Sequence, residues 1–186
     1  MKMIRSFIAV DIPEAVRDML DGLLGKLRNS QADVKWVKSK SIHITLKFLG
    51  DVEEARLPQI KEIMGNVVKN IQPFTISIEG MGAFPNDRRP HVLWVGVQKG
   101  SETLIRMAAD LDSQLAALGF EREKRSYSPH LTLGRIRSPK KIDAVIDMMH
   151  SMTFHVGDFL NEDILLMKSD LRPEGAVYTV LEKIKL

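Results

Sequence analysis

The sequence predicts a compact bilobal α+β fold in which helices cover sheets; if a pseudo-twofold relates the two lobes, the two histidine motifs face each other across a cleft. Three observations predict it. Four helical stripes alternate with strand-like runs, and the order of elements starts again near His91. The pattern Ser-x-His-x-Thr-Leu also occurs once in each half, at Ser41–Leu46 and Ser128–Leu133. We therefore expect one bilobal domain over residues 1–186, with pseudo-repeat halves of about 1–90 and 91–186.

The helices are predicted from apolar residues that recur on one face at steps of three and four. A single stripe indicates a helix that covers a sheet. Pro13 suits the first turn of the first helix, and Ser101 is the predicted N-cap of the third, which ends at Gly119. The predicted segments are about Pro13–Arg28, Ile60–Ile71, Ser101–Gly119 and, after Pro139, Ile142–Met149.

The strands are predicted from short apolar or alternating runs bounded by turn residues. The order strand, helix, histidine strand, helix, strand occurs twice, which indicates an internal duplication. The predicted strands are Met3–Asp11, Ile42–Leu49, Phe74–Glu79, His91–Gln98, Leu131–Ile136, a weaker stretch near Phe154–Lys168, and Ala176–Ile184.

Composition limits the classes of function. The chain is 44% hydrophobic and 27% charged, as in ordinary globular domains, and it has no cysteine, which excludes disulfides and thiolate metal sites. No apolar run is long enough for a signal peptide or a membrane span, so we expect a cytoplasmic protein with no membrane association. The net charge is only +3, but residues 122–141 hold seven Lys or Arg and one acid. This concentration favours a polyanion such as RNA, with a solvated basic face as the alternative.

The two histidine motifs are the candidate site. Strict alternation over Ile42–Phe48 would put His43, Thr45 and Lys47 on the open face of one strand, and His130 and Thr132 share a face in the second motif. Two histidines can hold different protonation states and act as a base and an acid, while the hydroxyls donate to an anion between them. In-line displacement at phosphorus suits this arrangement and requires no metal.

Two other chemistries compete with this interpretation. A metal site is the first, but two histidines without carboxylates on the same strands are fewer ligands than zinc normally takes. A serine or threonine nucleophile is the second, but the sequence has no nucleophile elbow and no Ser-His-Asp order. We therefore expect no metal and no cofactor.

Longer segments around both motifs carry a family resemblance. "RSFIAVDIP", "HITLKFLG", "GAFPNDRRPHVLWVGV" and "SPHLTLGRI" together resemble the 2H phosphoesterase superfamily, and within it the RNA 2′,3′-cyclic phosphodiesterases, also called the 2′-5′ RNA ligase family. The resemblance covers nearly the whole chain. It implies two antiparallel sheets with outer helices around an active-site cleft, and the opening of a terminal 2′,3′-cyclic phosphate to a 2′-phosphate without a metal. It also implies a related, reversible 2′-5′ ligation of tRNA-type fragments that needs no nucleotide cofactor.

The resemblance assigns roles to the motif residues. The catalytic positions are His43, Thr45, His130 and Thr132. The symmetry of the motifs leaves the two histidines interchangeable, and the family expectation makes His43 the proton donor and His130 the proton acceptor. Both threonines would bind non-bridging phosphate oxygens.

Supporting residues are less specific. Lys47 is a candidate phosphate contact or a solvent-exposed lysine. Arg135 matches a position that is usually arginine in the family, but strict alternation puts it opposite His130 unless the strand bulges. Weaker candidates for a phosphate contact are Arg5, Arg88 and Arg89. Trp94 and Tyr127 could stack on a base of the RNA, although the sequence around Trp94 favours a position in the core. The other histidines, for which we expect surface or packing roles, are His91, His150 and His155.

Two alternatives stay open. The chain could be a non-catalytic RNA-binding module that uses its basic segment. It could also be a 2H enzyme for a small cyclic nucleotide or an ADP-ribose cyclic phosphate. The expected partner is RNA with a 2′,3′-cyclic phosphate end, such as a tRNA fragment, and the expected state is a monomer.

Overall fold

The computed structural model describes residues 2–173 and 175–186. In these ranges the chain forms nine strands and four α-helices. The strands are β1 (Met3–Val10), β2 (Val34–Trp36), β3 (Ile44–Glu53), β4 (Phe74–Phe84), β5 (Val92–Val97), β6 (His130–Ile136), β7 (His155–Asn161), β8 (Asp163–Arg172) and β9 (Gly175–Lys185). The helices are α1 (Glu14–Arg28), α2 (Leu57–Val68), α3 (Ser101–Ala117) and α4 (Ile142–Ser151).

All four predicted helices and all the predicted strands are confirmed, with differences at their ends. The predicted N-cap at Ser101 is wrong, because Ser101 is the first helical residue and Gly100, at φ 78°, precedes it as the cap. The weak stretch near Phe154–Lys168 forms two strands, β7 and β8, which separate at Glu162. The prediction missed β2, because its three residues are too few to show an alternating pattern.

All strand pairs are antiparallel and follow one path, in the order β7-β4-β5-β6-β3-β1-β8-β9, with β2 paired to β6. This path contains two groups. The first, β3-β1-β8-β9, carries the first histidine motif, and the second, β7-β4-β5-β6 with β2, carries the other. The groups meet where Ile44 of β3 pairs with Leu131 of β6. The two expected sheets are therefore hydrogen-bonded into one large antiparallel sheet at the centre of the molecule.

The two groups of strands do not coincide with the two halves of the sequence. Strand β4 belongs to the first half but pairs with β5 and β7 of the second half. Strands β8 and β9 belong to the second half but complete the group around β1. The first half thus gives β1 and β3 to one group and β2 and β4 to the other, while the second half keeps β5, β6 and β7 together and gives β8 and β9 to the group around β1. This exchange makes the lobes interdependent.

The helices pack on the two groups separately. Helices α2 and α3 contact each other and lie against β9 and β3, whereas α4 lies against β4 and contacts α1. One hydrophobic core runs through the molecule and includes the apolar stripes of all four helices. None of the helices in the described ranges is long and apolar enough to cross a membrane.

Candidate active site

The centre of the candidate site is the residue pair that joins the two groups of strands. Ile44 and Leu131 are both fully buried, at 0% exposure, and each is the residue between His and Thr of its motif. In a strand, neighbouring side chains point to opposite faces. The His and Thr side chains of both motifs therefore leave the sheet on the face opposite these two buried residues.

The antiparallel pairing fixes how the four polar side chains are arranged. Residues on either side of a pair face each other in reverse order, so His43 lies opposite Thr132, and Thr45 lies opposite His130. The histidines occupy one diagonal of a four-sided group and the threonines the other, with diagonal spacing of about 7–8 Å between backbone positions. All four side chains are partly exposed. They therefore flank one small volume on neighbouring strands.

A β-bulge interrupts the first motif directly after its threonine. Strand β1 pairs with Lys47 and next with Thr45, so Leu46 is the extra residue. Leu46 and Lys47 are both buried, and Phe48 is 60% exposed. The strict alternation predicted for Ile42–Phe48 is therefore wrong beyond Thr45, and Phe48 takes the open face in place of Lys47.

Lys47 is tied to the helix side of the sheet. Its Nζ donates to Asp112 Oδ1 of α3 at 2.7 Å and to the Glu121 carbonyl at 2.7 Å, and Glu123 lies 3.6 Å away. The side chain is only 2% exposed. The predicted open-face position of Lys47 is wrong, because the bulge turns the ammonium group toward a carboxylate on α3. Lys47 anchors the segment that follows α3 and also lines the cavity of the motifs, so its predicted phosphate contact stays a prediction.

The second motif contains the same bulge at the same position. Strand β5 pairs with Gly134 and next with Thr132, which leaves Leu133 as the extra residue. The bulge brings Arg135 to the face of His130, as the alternative prediction required, and Arg135 lines the cavity above the motifs. The two strands therefore match in their motifs and in their bulges. At equivalent positions they present a phenyl ring, Phe48, and a guanidinium group, Arg135.

Both imidazoles are oriented by the residue two positions before them. His43 Nδ1 lies 2.9 Å from the Ser41 carbonyl oxygen, and His130 Nδ1 lies 2.7 Å from the Ser128 carbonyl oxygen. A carbonyl can only accept, so each Nδ1 carries a proton and each neutral ring presents an unprotonated Nε2. The serine shared by the two motifs contributes its backbone oxygen here.

Burial lowers the pKa of both histidines. The pKa of His43 falls from 6.5 to about 4, chiefly because burial disfavours the imidazolium; the Ser41 carbonyl and Asp11 oppose this effect, and Arg17 adds to it. The pKa of His130 is also lowered, first by burial and further by Arg135. Both rings of the free protein are therefore neutral at neutral pH.

Aromatic side chains hold the two rings in different ways. Phe7 of β1 stacks on His43 with ring centroids 4.6 Å apart, and Tyr178 of β9 meets His43 edge-on at 5.1 Å. On the other side, Phe84 of β4 meets His130 edge-on at 4.9 Å. Tyr178 and Phe84 come from strands that the exchange contributes from the other half of the chain. Sequence reasoning missed these contacts, since they depend on long-range pairing.

Arg17 of α1 is a further residue that the sequence did not indicate. Its Nη1 donates to the Ser39 carbonyl at 3.1 Å and to the Ile42 carbonyl at 2.9 Å, and its side chain is 12% exposed. These carbonyls lie on either side of Ser41, whose own carbonyl orients His43. Arg17 therefore fixes the turn that sets the direction of the first imidazole.

Tyr127 connects the two motifs directly. Its hydroxyl donates to the Thr45 carbonyl at 2.8 Å, and it immediately precedes Ser128, which orients His130. Burial raises the pKa of the Tyr127 hydroxyl, so the group stays a neutral donor. The hydroxyl of Tyr127 is thus engaged with the backbone of β3, and the predicted stacking on a base stays a prediction.

The four motif side chains lie in one cavity of about 760 Å³. Its walls come from β3, β4–β6, β9 and the segment between α3 and β6. The lining residues are Val37, Ser41, Ile42, His43, Thr45, Leu46, Lys47, Phe48, Phe84, Pro85, Val92, Glu123, Arg125, Ser126, Tyr127, Ser128, His130, Thr132, Arg135 and Tyr178.

The other candidates lie outside this lining. Arg5, Arg88 and Arg89 are exposed, and the backbone amides of Arg88 and Arg89 donate to Asn86 Oδ1. Trp94 is partly buried and packs against a cleft phenyl ring at 5.1 Å. Trp94 pairs with Thr132 of β6, so its ring lies on the face of the motif threonines and not in the hydrophobic core. The core role expected for Trp94 is therefore wrong.

The remaining histidines are peripheral. His150 Nε2 lies 2.8 Å from Asp87, His155 lies 3.7 Å from Glu79, and His91 is exposed. This confirms their predicted surface roles. Over residues 2–173 and 175–186, no group of three or more His, Asp or Glu side chains is arranged so that it could hold a metal ion.

The sequence matches the family described as LigT-like phosphoesterase twice, over residues 10–94 and again over residues 95–178. The chain belongs to this family. Among LigT-like relatives, a Methanothermobacter thermautotrophicus protein named RNA 2′,3′-cyclic phosphodiesterase is 36% identical over 184 residues, which cover 98% of this chain and 99% of the relative. An Archaeoglobus fulgidus protein of the same name is 38% identical over 175 residues, which cover 94% and 96%.

Solved structures show the same fold, among them the apo crystal structure of E. coli LigT, which superimposes with a TM-score of 0.79 at 24% identity and covers 100% of this chain and 99% of its own. The crystal structure of a Thermus thermophilus protein superimposes with a TM-score of 0.80 at 30% identity and covers 98% of each chain. The resemblance to 2H phosphoesterases predicted from the paired motifs is therefore confirmed, as is the mixed fold with a large antiparallel sheet and two repeated halves.

Proposed function

We propose that the protein is an RNA 2′,3′-cyclic phosphodiesterase that opens a terminal 2′,3′-cyclic phosphate to a 2′-phosphomonoester by metal-free catalysis with two histidines. The observation that carries the proposal is the pairing of Ile44 with Leu131, which brings two imidazoles and two threonine hydroxyls onto one partly exposed face. The activity named for the two archaeal relatives supports the same reaction.

The diagonal arrangement suits in-line displacement at phosphorus. His130 Nε2 accepts a proton from water, and the water oxygen attacks phosphorus as the bond from phosphorus to O3′ breaks. His43 Nε2 donates a proton to the departing O3′, which leaves a 3′-hydroxyl and a 2′-phosphate. Thr45 and Thr132, on the other diagonal, donate to the non-bridging oxygens, and the Arg135 guanidinium balances their charge.

The family resemblance makes His43 the acid and His130 the base. Burial lowers both pKa values in the free protein, and an anionic phosphate between the rings opposes that effect in both. Nearby charges act on both rings: Asp11 favours the imidazolium of His43, Arg17 disfavours it, and Arg135 disfavours the imidazolium of His130. In the proposed assignment the proton taken up with the substrate resides on His43, and His130 stays free to accept one.

The same geometry accounts for ligation. When the 5′-hydroxyl of a second RNA takes the place of water, its attack on phosphorus expels O3′ and forms a 2′-5′ phosphodiester. The cyclic phosphate is itself activated for attack, so the proposed ligation requires no nucleotide cofactor. Hydrolysis and ligation then use the same acid and the same base.

The test is single-turnover cleavage of an oligonucleotide that ends in a 2′,3′-cyclic phosphate. His43→Ala and His130→Ala should each reduce the rate by about 10²–10⁴-fold. His91→Ala, at an exposed histidine outside the cleft, is the matched control and should keep the wild-type rate. End-group analysis should find a 2′-phosphate. Near-normal turnover in either cleft variant would refute the proposal, as would binding of RNA without turnover.

We also propose a cytoplasmic location, a monomeric state and tRNA-type fragments as substrate, all supported by sequence alone. Cell fractionation and size-exclusion chromatography test the first two. Sequencing of cyclic-phosphate RNA ends that accumulate when the protein is depleted tests the third.

A further inference from the structure

A row of four cross-strand partners crosses the floor of the cleft and continues beyond it. Phe84 of β4 pairs with Val92 of β5, Val92 pairs with Arg135 of β6, and Arg135 pairs with Lys35 of β2. Directly paired residues in antiparallel strands have their side chains on the same face. The first three line the cavity. Lys35 therefore lies on the cleft face, one strand beyond the cavity wall.

The neighbours of Lys35 along the chain agree with this orientation. Val37, two residues later and just beyond the end of β2, also lines the cavity. Val34 points the other way and is 8% exposed within the core. Lys35 itself is exposed. It is thus a solvent-accessible cation at the rim of the cleft.

Lys35 and Arg135 form a pair of like charges directly across two strands. Such pairs are unfavourable, because the Cβ atoms are only about 4.5–5.5 Å apart. Within the described ranges neither cation makes an ion pair, and Asp33, which immediately precedes β2, makes none either. An anionic ligand between the two cations would remove their repulsion and gain two charge-assisted hydrogen bonds.

We propose that Lys35, together with Arg135, binds the phosphate on the 5′ side of the terminal nucleoside, one residue from the cyclic phosphate. This inference rests on the proposed function and adds a substrate class to it. The enzyme would prefer chains, or nucleotides with a 5′-phosphate, to a cyclic mononucleotide that lacks one. The RNA would leave the cleft across β6 and β2.

The experiment compares three substrates: adenosine 2′,3′-cyclic phosphate, its 5′-phosphorylated form, and the dinucleotide ApA that ends in the cyclic phosphate. Wild type should show a higher kcat/KM for the last two, mainly through a lower KM. In Lys35→Gln the preference ratio should fall about five- to tenfold, and Lys35→Arg should restore it. Lys26→Gln on α1 removes an exposed charge that belongs to neither the row nor the cavity lining, and it should leave all three values unchanged.

Binding separates the two proposals. Anisotropy titrations of a labelled oligonucleotide with a 3′-terminal phosphate should give a salt slope lower by about 0.7 in Lys35→Gln than in Lys26→Gln. An unchanged preference ratio and salt slope in Lys35→Gln would overturn the role of Lys35 even if the cyclic phosphate is cleaved. If no substrate is cleaved, the proposed function fails, and the difference in salt slope still decides whether Lys35 contacts a phosphate.

Discussion

The burial of His43 should make folding stability depend on pH between about 4 and 6.5. The folded pKa is about 4, while the unfolded chain has the ordinary value of 6.5. As pH falls through 6.5, the unfolded state gains a proton that the folded state does not bind, so stability is lost until the pH reaches about 4. The perturbation is His43→Gln, which removes this titration and keeps a side chain of similar size.

The magnitude follows from the two pKa values. The shift of about 2.5 units corresponds to about 3.4 kcal/mol at full effect. At pH 4.5 the unfolded histidine is almost fully protonated and the folded one about a quarter protonated, which gives a loss of about 2.5 kcal/mol. His43 keeps partial exposure, so solvent screening reduces the expected loss to about 2 kcal/mol.

The assay is urea unfolding at pH 7.5 and pH 4.5, in buffer without phosphate. Wild type should lose about 2 kcal/mol more of its free energy of unfolding between these pH values than His43→Gln does. His91→Gln, at an exposed histidine, should behave as wild type. Equal losses in wild type and His43→Gln would show that burial does not lower the pKa of His43 in the folded protein.

Three more predictions test other parts of the site. In the proposed mechanism the active form carries one proton between His43 and His130, and both pKa values are lowered in the free protein. We therefore expect kcat/KM to fall about tenfold per pH unit from pH 7 to 9, and a flat profile would contradict the mechanism. Arg17→Lys keeps the positive charge but cannot donate to the Ser39 and Ile42 carbonyls in the same geometry. We expect kcat to fall about tenfold while KM stays constant. The pH profile of kcat should also shift, which a loss of structure alone would not produce. Asp112→Asn leaves the buried ammonium of Lys47 without its nearest carboxylate, with only Glu123 remaining at 3.6 Å. The substitution should cost about 3 kcal/mol in urea unfolding, and adding Lys47→Met should largely recover the loss; a change below about 1 kcal/mol would count against the buried pair.

Much of the fold could be predicted because its signals are local. The four apolar stripes depend on residues three and four apart, and each of them forms the predicted helix. Strand β2 could not be predicted, since its three residues gain their structure only by pairing with β6. The exchange of β4 and β8 between the groups of strands could not be predicted either, because the hydrophobic period of a strand does not show which distant strand it pairs with.

The site shows the same division between local and long-range information. His43 and His130 could be predicted from a repeated pattern, but the faces of Lys47 and Arg135 could not be settled by alternation. A single extra residue at each bulge reverses every side chain that follows it. The sequence does contain a clue, since the leucine that bulges is the last residue shared by both motifs. Arg17 had no such clue, because its role depends on the packing of α1 against a turn that follows β2.

The duplication gives two identical motifs for which we propose opposite roles. Pairing through Ile44 and Leu131 makes the motifs equivalent to each other, so the backbone alone gives no reason for one histidine to be the acid. A difference between them can come only from residues outside the shared motif. Asp11 and Arg17 act in opposite directions on the charged form of His43, and Arg135 disfavours the charged form of His130. Because the first motif has a phenyl ring, Phe48, at the position equivalent to Arg135, removing the Arg135 charge is the change that should make His130 more like His43 and ease its protonation.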